Sequence, residues 1–537
     1  VFGAVKSYQM AKKEGQLLVI QYDESYKLAK DTTIKNDTAQ AKKPEKKKVS
    51  KKDPKTTYVE VVDLVTQQMK RFEKVAAFTL SDFNDQLFLV QQKGDSIDST
   101  FVSRYDLNTN ELRPVFAQPG QVIHPNLDEK GKQLTFLYSA DTSSRKVYQL
   151  AYWDPKMKEA KVVIDTVSDL LPVQQTVSEH FKPYFSDDGT ALYLGLATKP
   201  DPRFKDSLTA DEKVSLDIWN WKDGRLQTQQ LKELPKDQKQ TYLTVYYPQN
   251  YQLIPLADSL MDEVRADNKL NRKLLIGVDR HPYEQISTWE QTRYADVYAV
   301  DRFSGKRKLL LSKHESQYSL GPSSDFLLFY KTSDSSWYSL NVKKLQQTRL
   351  TDNKNDVFYD IENDIPNEAG ALGFAGWINE KCAVVYSRNH LWKLDVTAKE
   401  APTRLTPLSN GKETVYRIIY LDREDFYLPQ LTYLSTFNRK SKASGFASLD
   451  LKTLEFNLLK EKESRLTGLM KAKEADVFVF REETFQLYPD LHHCGKDFET
   501  SEQISDANPQ QKEYCWGDVR MVDWNSFNGD SLQGLLY

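Results

Sequence analysis

The chain has 537 residues, beyond the roughly 250–300 at which one hydrophobic core stops growing, so it is several domains or a repeat. Its 74 Lys and Arg nearly balance 76 Asp and Glu, for a net charge of −2, so no overall field recommends nucleic acid or an anionic membrane as partner. No apolar run approaches the ~18 residues of a membrane helix, and 29 Tyr with 25 Phe against 21 Gly favour pleated, half-buried surfaces and an all-β fold.

Val1 is not Met, and no charged-then-apolar leader precedes the first strand signal. The chain is expected either to have lost a leader or to be a piece of something longer, and its compartment is not readable from this end. Strand character begins at Gln16–Tyr22 after Lys13-Glu14-Gly15, with its partner at Tyr58–Val65. Between them, residues 26–56 hold Lys42-Lys43-Pro44-Glu45-Lys46-Lys47-Lys48 and Lys51-Lys52-Asp53-Pro54-Lys55. Like charges extend such a segment, so a solvated insertion is expected; a nucleic-acid arm would need interleaved aromatics, which are missing.

From Phe78 onward two signals alternate. One is a tight turn followed by an apolar strand: Ser81–Val90, Leu127–Tyr138, Ser186–Gly195, Ser323–Tyr330, Ile378–Tyr386, Leu421–Leu428 and Ala472–Phe480. Its cleanest copy is Phe185-Ser186-Asp187-Asp188-Gly189, where Asp side chains can bond local backbone and Gly189 can take positive φ. The other is a strand ending at an Asp or Asn turn: Val62-Asp63, Tyr105-Asp106, Trp153-Asp154, Trp221-Lys222-Asp223, Val300-Asp301, Leu340-Asn341, Leu394-Asp395 and Leu449-Asp450. These eight recur near the ~40–50-residue period of a four-stranded propeller blade, with two longer intervals assigned to insertions.

The expected fold is therefore an all-β propeller of four-stranded antiparallel blades over residues 1–515. Eight blades are expected, with seven or nine left open by a weaker unit at Phe478–Ile504. A β-sandwich is disfavoured because each repeat pairs one buried strand with one polar strand and no Gly/Pro/Ser-rich linker divides the repeats. Residues 247–270, with Leu256–Met261 and Val264 at rough helical spacing, read either as a helical insertion over one face or, the favoured reading, as a packed surface excursion with no contact to substrate.

Chemistry is sparse. No G-x-S-x-G, P-loop, dinucleotide fingerprint or H-E-x-x-H occurs, and Gly370–Gly376 reads as a bulge or close backbone approach. His492-His493-Cys494 alternates faces on a strand and is a poor metal set. Glu482-Glu483 reads as solvated strand ends or ion pairs rather than a catalytic acid and base, and Asn36-Asp37-Thr38 as a weak glycosylation pattern. Cys382, Cys494 and Cys515 allow at most one bridge, with Cys494 to Cys515 the candidate pair, and two free buried thiols are the favoured reading. No catalytic, cofactor or metal residue is assigned, and no cofactor is expected.

Pro183-Tyr184-Phe185-Ser186-Asp187-Asp188-Gly189, Asp217-Ile218-Trp219-Asn220-Trp221 and Asp296–Asp301 with Gly305 resemble propeller repeats of the prolyl oligopeptidase family of serine peptidases. The likeness is to bacterial dipeptidyl-peptidase-like and acylaminoacyl-peptidase-like members. The most specific stretch is Ser505–Tyr514, Trp516-Gly517, Val522-Asp523-Trp524 and Gly529–Tyr537. It is similar to the segment joining the last blade to the α/β-hydrolase domain of that family. The resemblance implies that residues 516–537 are a linker and the start of such a domain, and that the Ser, Asp and His of the active site all follow the propeller. The partners it implies are this C-terminal domain and short peptide substrates, with no nucleic acid, no membrane span and a homodimer left open. The compartment it implies is periplasmic or secreted. The Glu-Glu pair with which dipeptidyl peptidases hold a free amino terminus has no match in the middle repeats, so dipeptidyl, acylaminoacyl and oligopeptidase specificities stay open. Two other classes compete: a stand-alone propeller serving as an interaction scaffold, and a propeller with its own glycan-cleaving carboxylates.

Overall fold

The computed structural model describes residues 5–11, 15–23, 57–83, 85–92, 100–200, 209, 212–214, 216–266, 271–408, 413–422 and 425–537. The Lys-rich segment 26–56, with Asn36-Asp37-Thr38 inside it, lies outside the described residues.

The chain is all-β. Among the described residues nine antiparallel sheets of four or five strands follow one another, ahead of a two-stranded hairpin; they are named here I (5–73), II (75–116), III (121–164), IV (175–255), V (263–314), VI (318–349), VII (374–404), VIII (414–462) and IX (465–503). Eight have four strands paired in chain order, the meander of which propeller blades are made; in sheet IV, Gln175–Val177 and Tyr184–Phe185 both pair with Leu192–Thr198 and act as one interrupted first strand. The expected pairing of the first two strand signals is present, Leu17–Asp23 lying against Thr57–Asp63 in register Ile20 to Glu60. Two compact units result: Val1–Glu290 with Ala295–Ser312, and Gln291–Tyr294 with Lys313–Tyr537.

Strand two of each sheet explains the turn-then-strand signal. In sheet IV, Leu192, Leu194 and Leu196 face Leu150 and Ile164 of sheet III, while Tyr193 faces Leu275 and Val300 of sheet V. In sheet II, Leu87 and Leu89 face Val19 and Val59 of sheet I, and Phe88 and Val90 face Phe136 and Trp153 of sheet III. A strand covered on both faces must be apolar at every position, not at alternate ones, and each fully buried Leu, Val or Phe contributes roughly 1.5–3 kcal/mol. The second unit repeats this: Leu328 and Tyr330 of sheet VI pack with Val385 of sheet VII, Val384 with Leu434 of sheet VIII, and Phe446 with Phe478 and Phe480 of sheet IX. The fourth strand of sheet VI stays wet: all four residues of Gln346–Arg349 are at least partly exposed.

Because strands alternate in direction, each sheet has two edges. Turns between strands one and two and between three and four share one, here the turn edge. The link between strands two and three and the connector to the next sheet share the other, the connector edge. Seven of the eight Asp or Asn signals sit at three-to-four turns, where the side chain accepts an amide two or three residues on, as Asp63 does from both Val65 (2.8 Å) and Thr66 (2.9 Å).

The eighth, Trp221-Lys222-Asp223, does not. It lies in a long link between strands two and three of sheet IV, just before α1 (Gln227–Asp237), and the third strand of that sheet is Tyr242–Tyr247. The two long intervals in the period flank this misplaced turn. The weak unit at Phe478–Ile504 falls in a complete four-stranded sheet, so nine sheets replace the eight units the turns predict. Among the described residues of 247–270 there is no helix, one of the two readings offered for that stretch. That stretch carries Gln252–Pro255, an Asp258–Met261 bridge and Glu263–Arg265, because Leu253, Ile254, Leu256 and Met261 serve cores on both sides of the sheet and not one helical stripe. Leu421–Leu428 is the link between strands one and two of sheet VIII, whose second strand is Leu431–Asn438.

Candidate functional site

The residues singled out in the sequence settle into structural roles. Ser186 Oγ donates to Asp188 Oδ1 at 2.7 Å, the Thr190 amide donates to the same oxygen at 3.0 Å, and Gly189 turns the chain at φ +71°. Glu482 pairs with Lys462 and Glu483 with Arg465, each at 2.8 Å. His492 stacks on Phe480 while His493 lies 3.2 Å from Glu502, so the neighbouring rings do diverge. Gly376 takes φ +147° beside a bulge, with Leu428 where its Cβ would stand. The three cysteines are free, Cys494 buried and Cys515 exposed. Among the described residues no group of His, Cys, Asp and Glu is arranged to hold a metal ion.

The motif Asp217–Trp221 lies in the link that contains α1. With Trp289, its Trp219 and Trp221 line an exposed depression of about 230 Å³ closed by Arg225, Leu226 and Gln285. Gln285 Nε2 donates to the Trp221 carbonyl at 2.7 Å, and Arg225 ties the link to α1 through Glu233 (2.7 Å) and Asp237 (2.9 Å).

The second unit concentrates unusual groups on its connector edge, where none of the recognised turns lies. After strand four of sheet IX (Ser501–Gln503) the chain leaves this edge through a short 3₁₀ turn, Pro509–Glu513, into a hairpin of Arg520–Asn525 with Ser531–Leu536. The hairpin pairs Trp524 with Leu532 and Val522 with Gly534, so Val522, Trp524, Leu532 and Leu536 share one face, and Gly534 admits the Trp524 indole above it. Trp524, Leu532 and Leu536 are exposed, as are Met521 and Leu535 on the other face. Its foot is fixed to the two-to-three turn of sheet IX: Trp516 Nε1 donates to the Phe485 carbonyl at 2.7 Å, and the rings of Phe485 and Tyr537 meet at 5.3 Å. Phe485, Leu487, Tyr488, Tyr514 and Phe527 extend the exposed apolar surface.

On the same edge, three arginines gather where sheets VII and VIII meet. Arg388 is in the two-to-three turn of sheet VII, Arg417 on the first strand of sheet VIII and Arg439 in the two-to-three turn of sheet VIII. Arg388 (3.3 Å) and Arg439 (2.6 Å) both bond Glu362 Oε1, from the connector between sheets VI and VII. Arg417 donates to the Tyr416 (2.8 Å) and Arg388 (3.2 Å) carbonyls and lies over the Tyr386 ring, 4.8 Å from its centroid. Nothing in the spacing of these residues signals a site, since each comes from a different strand or link and only the stacking of two sheets joins them.

No protein-family model matches the sequence, and no curated protein matches it. Solved structures do. Porphyromonas gingivalis dipeptidyl peptidase 4 is similar at 11% identity over 79% of this chain and 61% of its own, TM-score 0.36. Pyrococcus horikoshii acylaminoacyl peptidase is similar at 10% identity over 99% of this chain and 57% of its own, TM-score 0.29. The β-propeller domain of the trilobed protease from Pyrococcus furiosus is similar at 9% identity over 93% of this chain and 98% of its own, TM-score 0.25. The chain thus spans about three fifths of the length of the first two, 61% and 57%. Oligogalacturonate lyase in complex with manganese is also similar, at 11% identity over 79% of this chain and 75% of its own, TM-score 0.24, so these likenesses speak to the fold alone.

Proposed function

We propose that this chain is the non-catalytic propeller of a serine peptidase acting on short peptides, and that it gates access to a Ser-Asp-His site carried by an α/β-hydrolase domain following Tyr537. The observation that carries the reading is the C-terminal hairpin. A lone two-stranded sheet is marginal in water, yet this one presents Trp524, Leu532 and Leu536 along one face. Such a surface calls for cover by further sheet or helix. The hairpin leaves the connector edge at the point where the resemblance in residues 505–537 places the join to a hydrolase domain, which supports the same assignment. The propeller's contribution to catalysis is then exclusion and orientation: a wall that admits extended peptides and keeps folded proteins and bulk water from the acyl-transfer chemistry.

The test uses the whole product of the gene beside residues 1–537. The whole product is expected to react stoichiometrically with a fluorophosphonate serine probe and to cleave short peptides but not folded proteins. Residues 1–537 alone are expected to do neither. A reading frame that stops at Tyr537, or a whole product that the probe leaves unlabelled, overturns the proposal.

A further inference from the structure

We propose that Arg388, Arg417 and Arg439 form a carboxylate-recognition site for peptides on the connector edge of the second unit, and that Glu362 occupies it from within the chain until a ligand carboxylate displaces it. That the ligand is a peptide rests on the peptidase reading above; that it bears a carboxylate rests on the geometry alone.

The first observation is an imbalance of charge. Three guanidiniums share one carboxylate, and Glu362 touches only two of them. Arg417 has no carboxylate among the described residues; its bonds go to two main-chain carbonyls and its remaining company is the face of Tyr386. Burial, and then the nearby Arg439, hold its guanidinium below the usual arginine value. A half-buried cation without a counter-charge is costly to keep. Arg439 adds an unused donor, since its Nε is buried and makes no hydrogen bond.

The second observation is the occupant. Glu362 sits in an irregular connector, its side chain 63% exposed even while two guanidiniums bond one of its oxygens. Arginine forks recognise planar carboxylates by paired, charge-assisted hydrogen bonds, so the cluster already holds an oxygen of the group it would recognise. Glu362 faces solvent and is bound through one oxygen, so an incoming carboxylate can reach the guanidiniums and displace it against the effective concentration that its tether provides. The ligand adds what Glu362 does not provide, a counter-charge for Arg417 and an acceptor for Arg439 Nε. The place suits a peptide, because the cluster lies on the edge from which the chain departs toward the hairpin.

The experiment measures binding to residues 1–537 by fluorescence anisotropy, using a labelled pentapeptide of neutral side chains with a free C-terminal carboxylate, and the same peptide as its C-terminal amide. The carboxylate form is expected to bind at least about tenfold more tightly than the amide. Arg417→Gln is expected to remove that preference, and Glu362→Gln, which takes away the internal competitor, to strengthen carboxylate binding severalfold. Because Arg417→Gln may fail to fold, Glu362→Gln carries the decision: unchanged or weakened binding in that variant overturns the site, as does equal binding of the two peptides. Inorganic phosphate is the competitor arm. Displacement of the peptide at equal concentration overturns the commitment to a carboxylate in favour of a general oxyanion site. Since no cleavage is measured, failure here leaves the fluorophosphonate test of the peptidase reading untouched.

Discussion

Ser444 Oγ accepts the amide hydrogen of Leu466 at 2.7 Å while donating to the carbonyl of Ser464, also at 2.7 Å. One hydroxyl at the start of the third strand of sheet VIII thereby clasps the connector into sheet IX. The device recurs. Thr100 Oγ1 donates to the Gly120 carbonyl at 3.0 Å and accepts from Val122 at 2.9 Å between sheets II and III. Thr351 and Thr406 act from the connector side, accepting the amides of Trp337 (2.9 Å) and Leu391 (3.3 Å). These hydroxyls are buried, and each bonds main-chain groups where the chain leaves one sheet for the next.

Replacing Ser444 by Ala should therefore leave a buried amide and carbonyl unpaired, costing about 1–3 kcal/mol. Guanidinium unfolding is expected to show a lower midpoint with an unchanged slope. Ser444→Thr, which keeps the hydroxyl, should recover most of the loss.

Gly120 tests the same connector from the backbone side. Its φ is +147°, and a Cβ added there would stand 2.4 Å from the Ser139 carbonyl oxygen. Gly120→Ala is expected to destabilise the protein by about 1–3 kcal/mol through strain and overpacking. Gly370, with nothing within 4 Å of the added carbon, is the control, and Gly370→Ala should change stability by no more than about 0.5 kcal/mol.

Acid should weaken the fold in two windows. His314 and His390 are buried, which holds both imidazoles below their ordinary value of 6.5. The native state then binds fewer protons than the unfolded chain, so stability falls as pH drops below that value. The turn carboxylates follow: amides of the next residues hold Asp63 and Asp106 below the usual 3.8, and the Thr453 amide leads those that hold Asp450 at about 2. A depressed carboxylate stabilises above its unfolded value and loses that contribution as pH falls toward the folded one. Melting temperature against pH should show both steps, and His390→Gln should flatten the upper one.

The exposed hairpin should be visible in solution. An environment-sensitive hydrophobic dye is expected to bind residues 1–537, and Trp524→Ser with Leu532→Ser should remove most of that signal while moving the unfolding free energy by no more than about 0.5 kcal/mol. Dye binding unchanged by the substitutions would place the apolar surface elsewhere.

The sequence by itself determined the repeat. Short-range rules govern a turn, so Asp63, Asp106, Asp301 and Asp450 announce their hairpins through bonds to amides two and three residues away, and a strand buried on both faces, such as Leu192–Thr198, is legible as an unbroken apolar run. The same rules misled at Trp221–Asp223, a genuine turn inside an insertion, and at residues 247–270, where apolar spacing serves two cores and not one helix. Only the tertiary structure decided where chemistry gathers. Glu362, Arg388, Arg417 and Arg439 belong to three separate links and one strand, up to 77 residues apart, and they become one cluster because sheets VII and VIII stack through Val384, Tyr416 and Leu434. A long-range contact of that kind leaves no local pattern to read, since its energy comes from apolar faces meeting and its charges are carried along by the connectors.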